Sequence, residues 1–363
     1  GVVDLRARAF QAGLAAGLDR IGVATAEPFD DVRRAMDQRL AEGRTGRLRF
    51  TFKDPATATD VHRSFPWARR LVVGIRSYLP EAGTPPRRPG HGRIARFAVD
   101  DPYPPLRRGL EAVAEVLRAA GARAEVLADD DRLVDRAAAI RAGVAWWGKS
   151  TMAITPGLGP WFVIGSVVTD ADLEADQPMK RSCGTCDACI PACPTGAIVA
   201  PGVLDARRCL AAIAQSPGVI PRELREPMGD RLYGCDDCLD ACPPGTRLTI
   251  RSRAERGSVD LRWVLEAADE TLLERFSHFY LPRRSPRFLR RNALVAMGND
   301  GDPSLLEPVA LHAGHPDWLL RAHAVWALAR IGGAAVLPVL EQLYARERHP
   351  EVRAELEAEL GGT

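Results

Sequence analysis

The sequence predicts an α/β domain, then a cysteine-rich domain, then a C-terminal stack of α-helical repeats. Three observations carry this reading. Helix-period and strand-period patterns alternate over the first 170 or so residues, seven of the eight cysteines fall into two tight runs, and residues 34 positions apart repeat near the C-terminus. The boundaries read from these shifts in pattern are 1–170, 171–257 and 258–363.

The α/β elements follow in order. Val3 to Leu18 has helical spacing, Arg20-Ile-Gly-Val-Ala is a short strand, and Asp30 to Glu42 is a helix opening on two acidic residues. Leu71-Val-Val-Gly-Ile begins a buried strand. Leu106 to Ala119 is a helix, Arg123 to Leu127 a strand, Leu133 to Ala142 a helix, and Trp161 to Val168 a strongly apolar strand. Between Leu79 and His91, LPEAGTPPRRPGH has no periodicity and reads as a mobile surface loop.

The cysteine runs are Cys183-x2-Cys186-x2-Cys189-x3-Cys193-Pro194 and Cys235-x2-Cys238-x3-Cys242-Pro243, with Cys209 between them. Such spacing suits a pair of cubane 4Fe–4S clusters, in which three close cysteines wrap one cluster and the Cys-Pro cysteine reaches to the other. By that rule, as in bacterial ferredoxins, Cys183, Cys186, Cys189 and Cys242 hold one cluster. Cys235, Cys238 and Cys193 hold three corners of the second, and the remaining Cys209 completes it. A disulfide framework is the mark of small secreted chains, and a zinc site has no use for so extended a run.

Composition narrows the class further. A hydrophobic fraction of 46% and a net charge of +2 are those of an ordinary globular chain, so nothing in the bulk charge demands a nucleic-acid partner. No apolar run approaches the ~20 residues of a membrane span, and Gly1 to Asp19 has no signal-type apolar core. A reducing cytoplasm, a monomer and no membrane partner are the expectation.

At the C-terminus, 258–276 reads as one amphipathic helix. Leu294/Leu328, Gly298/Gly332, His315/His349 and Pro316/Pro350 are spaced as in stacked helical hairpins, and HEAT-like repeats describe them best. His312, His315, His323 and His349 sit at repeat positions and are expected to be structural.

RSCGTCDACIPACPTGAI from Arg181, DARRC from Asp205 and GDRLYGCDDCLDACP from Gly229 resemble the epoxyqueuosine reductase family. Further matching pieces are IGVATAEP near Ile21, ARRLVVGIRSYLP near Ala68, GRIARFA from Gly92, RAGVAWWGKST from Arg141 and LRRNALVAMGN from Leu289. The resemblance implies a cobalamin-binding catalytic α/β domain and removal of the epoxide oxygen of epoxyqueuosine in tRNA. Two electrons and two protons are consumed. It implies Asp129 as the acid that protonates the opened oxygen, and Arg136 and Tyr103 as substrate-pocket residues. Trp146, Gly148, Lys149, Ser150 and Thr151 form the loop expected to contact the corrinoid, the bland alternative being a buried Trp pair capping a strand. An anticodon stem-loop is the expected substrate, and a flavodoxin or ferredoxin the electron donor.

Residue types agree with these assignments in part. Asp129, Asp130 and Asp131 form an acidic run of the kind that more often makes a solvated turn. Arg283, Arg284, Arg287, Arg290 and Arg291, with Phe288 among them, can serve phosphates and splayed bases, or can be an Arg-rich helix end. Arg251, Arg253 and Arg256 lie just upstream. The family pattern changes at Arg132 for a Pro, Asp135 for a Glu, and Pro102-Tyr103-Pro104 for Asp-Tyr-His, which removes a pocket histidine. These changes keep a paralogous corrinoid reductase, such as a reductive dehalogenase, as an alternative, and a non-catalytic electron-transfer module is the third class.

Overall fold

The computed structural model describes residues 4–79, 87–249 and 255–361. Most of the LPEAGTPPRRPGH segment, together with Arg251 and Arg253, lies outside the described residues. The chain forms two compact units. The first comprises Gly1–Ala82, Asp100–Arg207 and Asp236–Ser252, and the second Gly83–Val99, Arg208–Cys235 and Arg253–Thr363. The units are not consecutive in sequence, so the division crosses the cysteine-rich segment 171–257.

In the first unit the strands run in the order Arg20–Thr25, Arg70–Ser77, Phe162–Thr169, Ala124–Ala128, and every neighbouring pair is antiparallel. Helices cover both faces, which is why the strands read as near-continuous apolar runs. Leu71, Val73, Ile75, Ile164 and Val168 pack toward Ala137, Ala138 and Ala139 of the helix Asp135–Arg141. The opposite face receives the helix Tyr103–Ala119. Gly74 and Gly165 stand opposite each other in the sheet. A Cβ on Gly165 would sit 2.4 Å from Leu110 Cδ1, so the glycines let this helix lie close against the strands.

The second unit has a small sheet in which His91–Ile94 pairs in parallel with Arg231–Tyr233 and antiparallel with Ser258–Asp260. Its core continues into the helices Arg287–Asp300, Leu306–Ala313, Trp318–Gly332, Leu337–Arg346 and Pro350–Leu360. Gly298 keeps the first and third of these close, since a Cβ there would lie 2.6 Å from the Trp326 ring. Trp318–Arg346 is long and apolar enough by composition to cross a membrane. It is nevertheless not one continuous helix, because the chain breaks at Gly333, where φ is +54°.

The single helix expected over 258–276 is instead a strand and two helices, Leu261–Glu266 and Asp269–Arg275. Asp260 caps the first by accepting the Trp263 N–H, while Ala267 and Ala268 are extended and interrupt the pattern. Hydrophobic periodicity alone does not register such a two-residue break.

One buried ion pair ties the repeats to the segment before them within this unit. Arg225, fully buried, donates to Glu355 Oε2 at 2.9 Å and Oε1 at 2.5 Å and to the Ile220 carbonyl at 2.8 Å. Arg225→Ala removes the fully buried partner and leaves Glu355 to the more exposed Arg222, which also donates to its Oε2, and we expect a loss of about 3 kcal/mol in the unfolding free energy of this unit, the low end for breaking a buried pair. Denaturant unfolding monitored by Trp fluorescence checks this, and a loss under 1 kcal/mol would contradict it.

The four repeat histidines are structural, as expected from the sequence. His323 is held neutral by burial: its Nδ1 donates to the Leu319 carbonyl and its Nε2 accepts the Ile220 N–H. His312 Nδ1 bonds the Pro308 carbonyl, and the His315 and His349 rings accept the Asp317 and Glu351 N–H groups at helix starts.

Candidate active site and cluster ligands

Asp129 follows the last residue of the strand Ala124–Ala128 and takes a positive φ of +53°. A non-glycine residue there is strained, although Asp is among those that tolerate it best. Three contacts hold the turn. The Arg107 guanidinium donates to the Ala128 carbonyl, the Val134 N–H donates to the Ala58 carbonyl at 3.0 Å, and Asp130 accepts the Arg132 N–H and Nε at 2.9 Å each. The acidic run therefore divides its work. Asp130 makes the turn and Asp131 is exposed, while Asp129 keeps accessible surface but is partly enclosed by protein.

Asp135 and Arg136, the first two residues of the next helix, lie within electrostatic reach of Tyr103, and Asp135 and Tyr103 lie within reach of Asp129. Arg136 keeps accessible surface although protein surrounds its guanidinium, as a side chain does when it borders a concavity. Burial raises the Asp129 carboxyl pKa against the opposing Arg107, and Asp131, Asp101 and Asp130 push it the same way. Burial and then the Asp129 charge raise Asp135 well above an ordinary carboxyl, with Arg136 opposing. The Tyr103 hydroxyl is raised by burial and by both carboxylates. Asp129, Arg136 and Tyr103, scattered over 34 residues of sequence, are thus electrostatic neighbours, and Arg136 also feels Cys238.

The changed positions can now be located. Arg132 turns to Asp130, with Nη2 2.7 Å from Oδ2, and stacks 5.1 Å over Phe65. Its guanidinium is thereby committed to those two contacts. Pro102 precedes and Pro104 enters the first turn of the helix Tyr103–Ala119, where a missing N–H costs no helical bond.

Within the first unit, Cys242 of the second run comes to the first run. Cys183, Cys186 and Cys189 surround the turn leading into the short helix Cys189–Ala192, with the Cys186 N–H bonded to the Cys183 carbonyl at 3.0 Å. Burial and the charges of Cys183, Cys189 and Cys186 push the Cys242 thiol up to about 11, which places that residue beside the first run. Crowding of four sulfurs is unfavourable for free thiolates and suits a cationic iron core. Cys193 differs: burial works against its thiolate, but N–H groups of Thr195 and Ala197 overcome this and lower its pKa, the latter at 3.2 Å from Sγ. Cys238 lies in the helix Asp237–Asp240 of the same unit, whereas in the second unit Cys209 caps the helix Leu210–Gln215 and Cys235 packs on the core.

In the Trp-Trp-Gly-Lys-Ser-Thr loop the bland and functional readings divide. Trp146 is buried and its indole N–H has no partner among the described residues, while Trp147 is 42% exposed. Gly148 is required by its own hairpin, since a Cβ would lie 2.8 Å from the Met152 carbonyl oxygen. Lys149 Nζ donates to the Gly184 carbonyl at 2.8 Å, next to the first cysteine run, the Ser150 hydroxyl accepts the Met152 N–H, and Thr151 has φ +76°.

The arginine cluster is corrected in part. Arg291 is buried and donates to the Ser216 and Gly218 carbonyls at 2.7 Å, so no phosphate reaches it. Arg290 pairs with Asp269 at 2.5 Å and Arg287 with Asp317 at 2.6 Å, both engaged by carboxylates within the unit. Arg283 and Arg284 are exposed, both at positive φ. The sequence showed five like charges and could not show that the helix Arg287–Asp300 turns one of them inward. Asp135 entered the sequence reading only as a changed position of the family pattern and was given no role, for a related reason: an acidic residue in the first turn of a helix reads as a dipole partner in solvent.

A carboxyl–guanidinium cluster with raised carboxyl pKa values beside a thiolate-rich loop, followed by helical repeats, defines an iron–sulfur oxidoreductase. Residues 182–245 match the family model of a 4Fe-4S double cluster binding domain, and 281–361 match HEAT repeats. Epoxyqueuosine reductase of Bacillus subtilis is 30% identical over 371 residues, covering 98% of this chain and 95% of the relative. That of Vibrio cholerae is 30% identical over 86% of this chain and 88% of its own. A crystal structure of epoxyqueuosine reductase with a tRNA-Tyr epoxyqueuosine-modified stem loop is 28% identical at a TM-score of 0.90, each covering 98% of the other. The chain belongs to the epoxyqueuosine reductase family.

Proposed function

We propose that this protein reduces epoxyqueuosine to queuosine at the tRNA wobble position, and that Asp129 is its acid. The observation that carries the reading is the Asp129 carboxyl, raised in pKa and within electrostatic reach of Tyr103 and Asp135, which in turn reach Arg136, in a chain alike end to end with epoxyqueuosine reductases. Such a carboxyl keeps its proton to higher pH than an ordinary one and can give it to an oxygen as a C–O bond opens. Arg136 supplies fixed positive charge for the oxygen or the base, and Tyr103, whose hydroxyl stays protonated, donates a hydrogen bond.

Two 4Fe–4S clusters would be held by Cys183, Cys186, Cys189 and Cys242 and by Cys193, Cys209, Cys235 and Cys238. The charge coupling of Cys242 to the first run supports the first set. A bound corrinoid would supply a low-valent cobalt nucleophile and reductant for the strained epoxide. The Trp146 indole N–H, unpartnered among the described residues, fits one of its amide or phosphate acceptors, and the hydroxyls of Ser150 and Thr151 lie on the same loop. Arg283 and Arg284 are the arginines of the cluster proposed to meet the stem-loop backbone. A cytoplasmic flavodoxin or ferredoxin completes the reading.

The test is anaerobic reconstitution with iron, sulfide and cobalamin, then single turnover on an epoxyqueuosine stem-loop with dithionite, read by nucleoside mass spectrometry. Loss of one oxygen from the base is expected. Corrinoid binding with an unchanged base would instead indicate a different substrate, and no corrinoid binding an electron carrier.

A further inference from the structure

The deoxygenation proposed above releases its oxygen as water, which requires two protons, and Asp129 carries one. Every charged or titratable group facing that carboxyl can be assessed in turn. Arg107 and Arg136 are permanent cations. Asp130 is held ionised by its bonds to Arg132, Asp131 is exposed, and Asp101, also exposed, accepts the Tyr103 N–H. Tyr103 is too weak an acid, because burial and two carboxylates oppose its ionisation. Asp135 remains. Its Oδ1 is buried with no hydrogen-bond partner among the described residues, the Asp129 backbone N–H faces its carboxyl, and Asp129 is the charge it feels most strongly. A buried carboxylate oxygen without a donor is costly, and a proton on that oxygen removes the cost.

We propose that Asp135 is the second proton donor of this site, a relay residue that reloads Asp129 after Asp129 has protonated the substrate oxygen. This rests on the deoxygenation reading. In the first step Asp129 gives its proton to the epoxide oxygen as one C–O bond breaks. The Asp135 proton then passes to the Asp129 carboxylate. In the second step that proton joins the departing hydroxyl, the other C–O bond breaks, the alkene forms and water leaves. The two electrons come from a one-electron donor, dithionite in the assay below. Both carboxylates regain protons from solvent between turnovers.

The test compares wild type, Asp135→Asn and Asp135→Glu in the fully loaded protein by single turnover between pH 6 and pH 9. Asp135→Asn preserves size and the acceptor for the Asp129 N–H, and cluster absorbance reports its folding. It is expected to slow the base conversion about 3-fold at pH 6 and about 100-fold at pH 8.5, where Asp129 alone cannot be reloaded. Asp135→Glu is expected to restore the wild-type pH profile. An Asp135→Asn profile that keeps the wild-type shape, whether slowed uniformly or not at all, would overturn the relay.

A second readout needs no turnover. With Asp129 replaced so that only Asp135 can contribute, the infrared carbonyl band of a protonated carboxyl at pH 7 is expected in substrate-free Asp129→Asn and is expected to vanish in the double variant Asp129→Asn, Asp135→Asn. A band absent from Asp129→Asn, or surviving in the double variant, rejects Asp135 as the proton store. Wild type that leaves the base unchanged at every pH counts against the deoxygenation reading, and the infrared band then still decides where the proton resides.

Discussion

Asp129→Asn is expected to lower the single-turnover rate of epoxyqueuosine reduction by about 10²–10⁴-fold, the usual worth of a positioned general acid. Iron content and cluster absorbance should stay at wild-type levels. Asparagine fits the left-handed turn as well as aspartate does, so φ +53° is kept and only the proton is lost. The pH dependence has a definite sign. Burial, helped by the neighbouring Asp131, Asp101 and Asp130, raises the Asp129 pKa above its ordinary value. The acid therefore remains loaded above the usual carboxyl range, and wild-type activity is lost as pH rises through the raised value. A variant with the wild-type rate would remove Asp129 from the chemistry.

Cys242→Ala is the second large effect. If Cys242 closes the cluster of the first run, the variant binds about four iron atoms per chain in place of about eight and gives no turnover, because the electron path is cut. The wiring is tested by combination. Cys183→Ala with Cys242→Ala should lose no more iron than either alone, since both serve one cluster. Cys183→Ala with Cys193→Ala should lose both clusters. Iron analysis and electron paramagnetic resonance of the dithionite-reduced proteins read the difference, and a double variant at 183 and 242 that loses all its iron refutes the crossing.

Much of this was legible in the chain. The predicted strand starting at Leu71 is Arg70–Ser77, and the predicted helix Leu106 to Ala119 is Tyr103–Ala119, gaining a first turn that begins in prolines. Such elements arise from side-chain period and local capping, which a window of a dozen residues contains. The cysteine spacing and repeat period were equally visible and match the double-cluster and HEAT families. Over 258–276 the window failed because two extended alanines carry no polarity signal.

By itself, then, the sequence determined the order of helices and strands, a double-cluster ligand set, the helical repeats and the family. Tertiary structure alone decided that the principal sheet is antiparallel and that Gly74 faces Gly165 under Leu110. It also decided that Arg291 is spent on backbone carbonyls and that Cys242 comes to the Cys183 loop. It set Asp129 and Asp135 against each other, leaving an oxygen without a donor among the described residues. The physical reason is range. Periodicity and spacing record interactions between near neighbours in the chain, whereas burial, pairing and pKa depend on residues that only the packed fold brings together.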